Sequence, residues 1–227
     1  MNILVTAGNT QTPIDKVRCL TNIFSGRTGG RIAIEAVRRG HSVTHFTSHP
    51  EVIAELAGGL PLPPDRWQVK PYRTYDDLSH LMETIIPQGG FDAIIHAAAV
   101  SDYALDGVFA RNEHGEMLDV SAGKVKSHHP ELWLKLVPTP KLVDRIRKPW
   151  GFQGVLVKFK LEVGISDETL LDVAERSRVQ SGADLMVANT LEGMSEFAFV
   201  GPIKGCYEKV QRGELARRLI EEVERRI

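Results

Sequence analysis

The stretch Phe91-Asp-Ala-Ile-Ile-His-Ala-Ala-Ala-Val100 is apolar on both of its alternating faces. Such a run is typical of a central strand that helices cover on both sides of a parallel sheet. A second short run, Asn2-Ile-Leu-Val-Thr-Ala7, ends at Gly8 and has the same character. The two runs together predict a buried parallel sheet.

Further strands and helices alternate around these two runs. Strands are predicted at 42–47, 67–71, 154–161, 183–188 and, as an edge strand, 196–200; helices are predicted at 30–39, 75–86, 167–181 and 214–227. Because strands that alternate with helices form parallel sheets with right-handed crossovers, the predicted fold class is α/β, with a Rossmann-like doubly wound parallel sheet. The simplest architecture is a single domain over residues 1–227.

The segment 104–137 interrupts this rhythm. It contains three glycines, and from Leu132 to Leu136 every second residue is a leucine. Alternation is typical of β-structure, and a segment of this length is uncommon as a simple loop in a compact domain. We therefore predict an inserted β-ribbon, called the flap below, and a homodimer that depends on it.

Composition excludes several classes of protein. Hydrophobic residues make up 42% of the chain and charged residues 25%, as in an ordinary globular protein. The net charge of −1 argues against a nucleic-acid-binding protein or a membrane-surface protein. Cys19 and Cys206 form no Cys-x-x-Cys motif, so neither a disulfide framework nor a zinc ribbon is indicated. No apolar run is long enough for a signal peptide or a membrane span, and a cytoplasmic protein is expected.

The loop after the first strand ends in Ser25-Gly-Arg-Thr-Gly-Gly30, directly before a predicted helix. Small residues let backbone N–H groups converge on an anion, and a helix N-terminus favours negative charge. Ser25, Gly26 and Gly29 are therefore candidate phosphate ligands, with Arg27 beside them. The alternative is a Gly-rich turn that only starts the helix.

Two common nucleotide-binding motifs are absent. No Lys followed by Ser or Thr comes after these glycines, so the loop is not a P-loop. Gly-x-Gly-x-x-Gly is missing after the first strand, and the second strand ends in Thr47 and Ser48, where a dinucleotide site has an acidic residue. An NAD(P)-dependent reductase is disfavoured, and it stays as an alternative beside a non-catalytic nucleotide-binding module.

The histidines predict no metal site. His41, His45 and His49 are four residues apart, but they span a strand and its exit, where this spacing does not bring side chains together. His96 is interpreted as a core histidine of the central strand. No metal ligand is assigned.

Two further stretches are candidate binding segments. The alanines of Ala97-Ala-Ala-Val-Ser-Asp-Tyr103 leave space above the sheet edge, where open α/β sheets bind ligands, and Asp102 is expected to point into that crevice. The alternative is that small residues only allow close helix packing. Gly123-Lys-Val-Lys126 offers lysines that suit a polyphosphate, although exposed lysines are common.

Taken together, these motifs resemble the phosphopantothenoylcysteine synthetase family, which also forms the C-terminal half of bifunctional bacterial coenzyme A proteins. The matching stretches cover essentially the whole chain in the family's order: Gly8-Asn9-Thr10, Pro13 to Arg18, Asn22 to Gly29, Ala97 to Tyr103, Lys124-Val-Lys126 and Ala188-Asn189. Phe159-Lys-Leu-Glu162 looks like the form found in stand-alone enzymes. Three features depart from the pattern: Asn9 stands where Gly or Pro is usual, Phe24 replaces a Ser, and Ser177 and Ser181 lie where some relatives carry lysines.

The resemblance implies a carbon–nitrogen ligase that joins phosphopantothenate to cysteine in coenzyme A synthesis. CTP or ATP, with Mg²⁺, would activate the carboxylate as an acyl-nucleotidyl intermediate, and the amine of cysteine would then displace the nucleotide. The residues leave the choice between CTP and ATP open. In this family the dimer-forming ribbon lays its lysine near a partner's site.

The resemblance also implies residue roles. Asn22 would donate its amide to the acyl intermediate, and Lys124 would neutralise the triphosphate. Separately from the resemblance, alternation along a strand is taken to point Lys126 to the opposite face. Arg18 would orient its loop or pair with a phosphate. The remaining residues would bind phosphate (Ser25, Gly26, Gly29) or the nucleotide (Gly8, Ala98, Ala99, Asp102, Phe159).

Overall fold

A computed structural model describes residues 1–59 and 61–227. The strands are β1 (Asn2–Ala7), β2 (Gln11–Pro13), β3 (Cys19–Thr21), β4 (Ser42–Thr47), β5 (Trp67–Pro71), β6 (Ala93–His96), β7 (Tyr103–Arg111), β8 (Met117–Asp119), β9 (Trp133–Pro138), β10 (Val155–Glu162), β11 (Leu185–Thr190), β12 (Phe197–Ile203) and β13 (Cys206–Gln211). The α-helices are α1 (Arg27–Arg38), α2 (Pro50–Ala57), α3 (Tyr75–Ile85), α4 (Leu142–Arg147), α5 (Asp167–Ser181) and α6 (Leu215–Glu224).

The central sheet has eight strands in the order β13-β12-β11-β10-β6-β1-β4-β5. The strands from β11 to β5 pair in parallel, whereas β12 and β13 add to one edge in antiparallel fashion. The predicted α/β fold with a mainly parallel sheet is confirmed. The predicted edge strand 196–200 is β12, and it is not the edge, because β13 pairs outside it.

Both faces of the sheet are buried, as the apolar runs predict. Ile3, Leu4 and Val5 of β1 are all 0% exposed. Ile3 and Val5 belong to the core cluster that includes residues of α1 and α6, and Leu4 belongs to the opposite cluster with α3 and α4. Within residues 1–59 and 61–227, no helix has the length and apolar character needed to cross a bilayer.

The strand predicted at 91–100 is shorter than expected. β6 ends at His96, and the residues after it form an irregular segment beside the loop that follows β1. Ala97 N–H still donates to Thr6 O at 3.1 Å, which holds this segment against the end of β1. The alanines therefore belong to the rim of the sheet and not to its core.

The flap is a three-stranded antiparallel sheet in the order β8-β7-β9. The predicted β-structure of this segment is confirmed, and its first strand begins at Tyr103, one residue before the predicted boundary. Residues 120–132, between β8 and β9, contain no strand. The lysine motif Gly123-Lys-Val-Lys126 lies in this irregular part.

Candidate active site

The segments that follow β1 and β6 meet at the carboxyl ends of these strands, and the space between them is called the crevice below. In the sheet, β4 lies on one side of β1 and β6 lies on the other side, with β10 beyond it. The order of the strands therefore reverses between β1 and β6. Open α/β sheets bind ligands at such switch points. The two segments that leave these strands touch there: Ala99 N–H donates to Gly8 O at 2.8 Å, and Thr10 N–H donates to Ala99 O at 3.3 Å.

Asn9 joins three parts of this crevice, a role that the sequence did not predict. Its side-chain Nδ2 donates to Asn22 O at 2.6 Å, and its Oδ1 accepts from Ser48 Oγ at 3.1 Å. His49 Nε2 lies 3.2 Å from the same oxygen. Because Ser48 and His49 directly follow β4, Asn9 ties the end of that strand to the loop that carries Asn22.

Asn22 is half-buried in the crevice between these segments. Its Nδ2 donates to Ala99 O at 3.0 Å, and this is the one hydrogen bond of the side chain to residues 1–59 or 61–227. A side-chain amide has two N–H donors and one acceptor oxygen. One N–H and the oxygen are therefore available to a ligand, while the bond to Ala99 fixes their orientation.

Gly26 and Gly29 are required by close packing, whatever the loop binds. Gly26 has a φ of 80°, and a Cβ there would lie 2.4 Å from Gly8 N. A Cβ on Gly29 would lie 2.6 Å from the Cβ of Ala7. The start of α1 therefore sits directly against the carboxyl end of β1, which a side chain at either position would prevent.

The first turn of α1 offers free backbone donors. Gly26 precedes the helix without a side-chain cap, and the turn contains no acidic residue. Such N–H groups lack partners within the helix and carry partial positive charge. Ser25 is half-buried beside this turn. Arg27 was expected beside the phosphate. Its Nη1 instead forms a salt bridge with Glu55 Oε2 of α2 at 2.8 Å.

Arg212 is a basic residue at this edge that the sequence reasoning missed. Its guanidinium donates to Thr28 Oγ1 in the first turn of α1. Burial lowers the pKa of Arg212, and the nearby charge of Arg31 lowers it further. β13 runs in the direction of the parallel strands, so Arg212 follows it at their carboxyl edge. The prediction missed β13, and with it the signal that would have indicated this position.

The alanine segment lines the crevice, but Asp102 does not point into it. Ala98 and Ala99 are half-buried, and Ala98 N–H donates to Thr6 Oγ1 at 3.2 Å. Asp102 lies at the exposed rim, with its Oδ1 3.1 Å from Lys141 Nζ. The expectation that Asp102 points into the crevice is wrong, because its carboxylate pairs with Lys141 on the exposed surface.

Phe159 lies on β10, the strand next to β6. It is half-buried and packs against the core cluster on the side of α1 and α6. Asn189 of the late Ala-Asn motif pairs in register with Leu161 on the neighbouring strand. Side chains alternate along strands, so Phe159 and Asn189 share the face on which α1 begins.

Arg18 and Lys124 lie where the β2–β3 hairpin meets the flap. Arg18 Nη2 donates to Asp15 Oδ2 at 2.6 Å and to Val125 O at 2.7 Å, so this residue orients its loop, the first of its two expected roles. Lys124 and Lys126 are both exposed on either side of buried Val125. The expectation that they face opposite ways is wrong, because residues two apart share a face in extended chain.

The structure thus gathers most of the candidate residues into one crevice. Direct contacts or neighbouring positions join one group there: Gly8, Asn22, Ser25, Gly26, Gly29, Ala98 and Ala99. Phe159 lies on the adjoining strand. Among the described residues, no side-chain hydrogen bond joins Arg18, Asp102 or Lys124 to Asn22.

The buried histidines are held uncharged. His45 is 0% exposed, stacks on Trp67, and neither ring nitrogen has a hydrogen-bond partner among the described residues. His96 Nδ1 lies 2.9 Å from Thr6 Oγ1. Burial lowers the pKa of each ring to about 4, and for His96 the charge of Lys158 adds to this effect. No group of three or more His, Cys, Asp or Glu in residues 1–59 and 61–227 could hold a metal ion.

These two histidines predict a loss of stability in mild acid. Their pKa values in the folded chain lie below the ordinary 6.5, so the unfolded chain takes up protons first. The contribution of these histidines to the free energy of unfolding is fully present above pH 6.5. It is lost as the pH drops toward about 4, by up to roughly 1.4 kcal/mol per pH unit for each histidine. Urea unfolding at several pH values would measure this slope.

A matched pair of variants assigns the effect. His45→Met removes one titrating ring and should make the pH dependence of the unfolding free energy shallower. His128→Gln, on the exposed part of the flap, should leave it unchanged. A His45→Met curve parallel to that of the unmodified chain would contradict the assignment.

A cavity of about 730 Å³ opens at the opposite edge of the sheet. Its lining includes Asn2, Asp65, Arg66 and Asp92, near the amino ends of the parallel strands. Open α/β sheets bind ligands at the carboxyl ends. We therefore assign the site to the crevice around Asn22 and not to this cavity.

Sequence comparisons find relatives of one kind. The family described as the DNA/pantothenate metabolism flavoprotein C-terminal domain matches residues 1–225. The coenzyme A biosynthesis bifunctional protein CoaBC of Thermococcus kodakarensis is 34% identical over 230 residues, covering 98% of this chain and 51% of that protein. CoaBC of Escherichia coli is 29% identical over 192 residues, covering 83% of this chain and 41% of that protein. The chain thus spans about half the length of the curated relatives it matches.

Solved structures share the fold over almost the whole chain. The DNA/pantothenate metabolism flavoprotein from Streptococcus pneumoniae has a TM-score of 0.82 at 26% identity, covering 99% of both chains. A mutant of Cab2 in complex with phosphopantothenate-cysteine has a TM-score of 0.75 at 18% identity, covering 99% of this chain and 85% of that one. At that identity the second likeness shows the fold alone.

Proposed function

The chain belongs to the DNA/pantothenate metabolism flavoprotein C-terminal domain family, and from this premise we propose that it is a phosphopantothenate–cysteine ligase of coenzyme A synthesis. The family membership confirms the resemblance predicted from the motifs. The coenzyme A biosynthesis proteins among its relatives support the pathway, and the crevice around Asn22 supports the chemistry.

The observation that carries the proposal is the position of Asn22. Its amide is fixed by Ala99 O at 3.0 Å, at the switch point of the sheet and beside the uncapped start of α1. A preorganised N–H dipole stabilises an oxygen that gains charge during acyl transfer, and free helix donors suit a phosphate. The crevice therefore offers the Asn22 N–H to the acyl end of a phosphorylated acid and the N–H groups of the first turn of α1 to its phosphate.

In the first proposed step, the nucleotide activates the acid. A carboxylate reacts poorly with an amine, so a carboxylate oxygen of phosphopantothenate attacks the α-phosphorus of CTP or ATP, and pyrophosphate leaves. Lys124 neutralises charge on the triphosphate. Mg²⁺ commonly binds through substrate phosphates, and we propose that it enters with the nucleotide and supplies further charge neutralisation there.

In the second proposed step, the amine of cysteine attacks the acyl carbon, and the nucleoside monophosphate leaves with the former carboxylate oxygen. The N–H of Asn22 donates to the acyl oxygen as charge develops on it. Gly26, Gly29 and Ser25 bind the phosphate of the acid. Phe159, with Gly8, Ala98 and Ala99, lines the nucleotide pocket; Asp102 would join it only by leaving Lys141.

The alternatives differ in what they release. A reductase needs an acidic residue after β4 to bind the ribose, but Ser48 stands there and binds Asn9. A non-catalytic module would bind a nucleotide without turning it over. The assay is pyrophosphate release with phosphopantothenate, cysteine and either CTP or ATP. We expect release that requires the acid; tight nucleotide binding with no release would contradict the proposal.

We also propose that the protein is a homodimer joined through the flap. Several large apolar side chains of the flap are 41–49% exposed: Leu136, Met117, Trp133 and Leu118. Several exposed large apolar side chains on one small sheet favour a protein interface there. By resemblance, the flap would also lay Lys124 near the partner's crevice.

The dimer predicts a clear result in light scattering. We expect twice the mass of the chain at micromolar concentration, and a monomer after Trp133→Glu, because a buried charge would oppose the interface. Glu116→Gln, an exposed change on the same flap, is the control and should leave the dimer intact. A fully active monomer would remove the proposed role of the flap.

A further inference from the structure

The turn of the β2–β3 hairpin is hydrogen-bonded to the part of the flap that carries Lys124. β2 and β3 pair in antiparallel fashion, and residues 14–18 form the turn between them. Within the turn, Asp15 Oδ1 accepts from Val17 N–H and Arg18 N–H, both at 2.8 Å. Asp15 Oδ2 accepts from Arg18 Nε at 3.0 Å and from Arg18 Nη2 at 2.6 Å.

The same two side chains hold both backbone groups of Val125. Val125 N–H donates to Asp15 Oδ2 at 3.1 Å, and Val125 O accepts from Arg18 Nη2 at 2.7 Å. On the other side of Lys124, Gly123 O accepts from Lys16 N–H at 3.0 Å. The backbone is therefore bonded on both sides of Lys124, while the lysine side chain is exposed.

The acceptor side of these bonds is buried, whereas the Arg18 side chain is 43% exposed. The Asp15 side chain is 0% exposed, and Val125 is 2% exposed although its neighbours Lys124 and Lys126 are exposed. The guanidinium of Arg18 holds the pKa of Asp15 far below its ordinary value, so the carboxylate stays charged and accepting. Within this irregular segment, the Asp15 and Arg18 side chains thereby fix the backbone at Val125, next to Lys124.

We propose that Asp15 and Arg18 form a latch that positions Lys124 for the nucleotide triphosphate. The inference rests on the proposed function of Lys124 and adds two positioning residues to it. A charged side chain on an irregular segment is productive only when its backbone is fixed, because small displacements from the reacting geometry cost large factors in rate. Asp15, Arg18 and Val125 belong to the same chain, so the latch forms within each subunit, and in the proposed dimer it positions Lys124 toward the partner's crevice.

Asp15→Asn is the variant that opens the latch and keeps the turn. The amide oxygen can still accept from Val17 and Arg18 N–H, but the amide NH₂ then faces Arg18 and Val125 N–H, which are donors. We expect kcat/KM for the nucleotide to fall by about tenfold or more, because the nucleotide-dependent step slows and KM for the nucleotide rises; this lies within the roughly hundredfold that a misplaced group costs. KM for phosphopantothenate should change less than about twofold, because Lys124 does not bind the acid.

A matched control is available at the other edge of the sheet. Asp184 Oδ2 likewise accepts from a backbone N–H, that of Leu156 at 2.7 Å, and from Arg147 Nη2 at 2.7 Å. Asp184→Asn thus removes the same kind of carboxylate acceptor, paired with an arginine and a backbone N–H, at the opposite edge of the sheet. It should lower the melting temperature without changing KM for the nucleotide.

A double-mutant cycle and amide exchange at Val125 separate the outcomes. If the latch acts through Lys124, Asp15→Asn adds little to the loss caused by Lys124→Gln, and Val125 N–H exchanges faster in Asp15→Asn. Arg18→Gln should act in the same direction. Losses that simply multiply, or an unchanged nucleotide KM despite faster exchange, would overturn the latch alone. A neutral Lys124→Gln would overturn the proposed role of Lys124 and the positioning role with it.

Discussion

Replacement of Lys124 by glutamine is expected to slow the nucleotide-dependent step by at least about a hundredfold, or roughly 3 kcal/mol. Glutamine keeps most of the length and a hydrogen-bond donor but removes the charge. The charge of Lys124 should matter more in the transition state than in the bound substrate, because pyrophosphate is then leaving. Single-turnover pyrophosphate release at saturating nucleotide would measure this step.

Lys135→Gln is the control for this prediction. Lys135 lies on the same flap, but its Nζ pairs with Asp106 Oδ2 at 2.5 Å on an exposed surface. We expect this change to leave the rate within about twofold, as is usual for exposed ion pairs. Similar small losses in Lys124→Gln, Lys126→Gln and Lys135→Gln would mean that the flap lysines form only a solvated basic surface.

Asn22→Asp is expected to slow the second step far more than the first. The change replaces the N–H that would donate to the acyl oxygen with a carboxylate oxygen, and loss of one such donor costs about 10²–10³ in rate. The activated acid should then accumulate. Rapid quench of a single turnover should detect the acyl-nucleotidyl anhydride in this variant and not in the unmodified chain.

The contact with Ala99 calls for a second variant at this position. In Asn22→Asp, a carboxylate oxygen would face Ala99 O across the distance of 3.0 Å that the native hydrogen bond spans, which could shift the loop. Asn22→Ser retains a donor in a smaller side chain and should lose less. Equal loss of both steps in a folded Asn22→Asp variant would argue against the acyl role.

Much of the sheet could be predicted because its strands are continuous apolar runs. The predicted bounds of β1, β4, β5 and α5 agree with the structure; β1 contains the apolar run Ile3 to Val5, and Ser166 caps the start of α5. Short elements escaped prediction: β2 and β3 have three residues each, and α2 has eight between Pro50 and Gly58. β13 was not predicted, because Pro202, Lys204 and Gly205 are typical of a segment that leaves a sheet after its last strand.

The candidate site was predictable only where its residues are neighbours in sequence. The loop from Gly8 to Gly29 and the alanines after β6 carry recognisable small-residue motifs, and the structure joins them. Asn9 binding Ser48, and Asp15 binding Val125, connect residues 39 and 110 positions apart. Such pairings depend on the folded sheet and flap, so no local pattern indicates them.

The most direct test of the proposed reaction follows one oxygen atom. Phosphopantothenate labelled with ¹⁸O in its carboxylate is incubated with cysteine, Mg²⁺ and the preferred nucleotide, and the products are analysed by mass spectrometry. Attack on the α-phosphorus predicts one ¹⁸O in the nucleoside monophosphate, together with phosphopantothenoylcysteine. Label in inorganic phosphate or pyrophosphate, or no amide product at all, would contradict the proposed ligase.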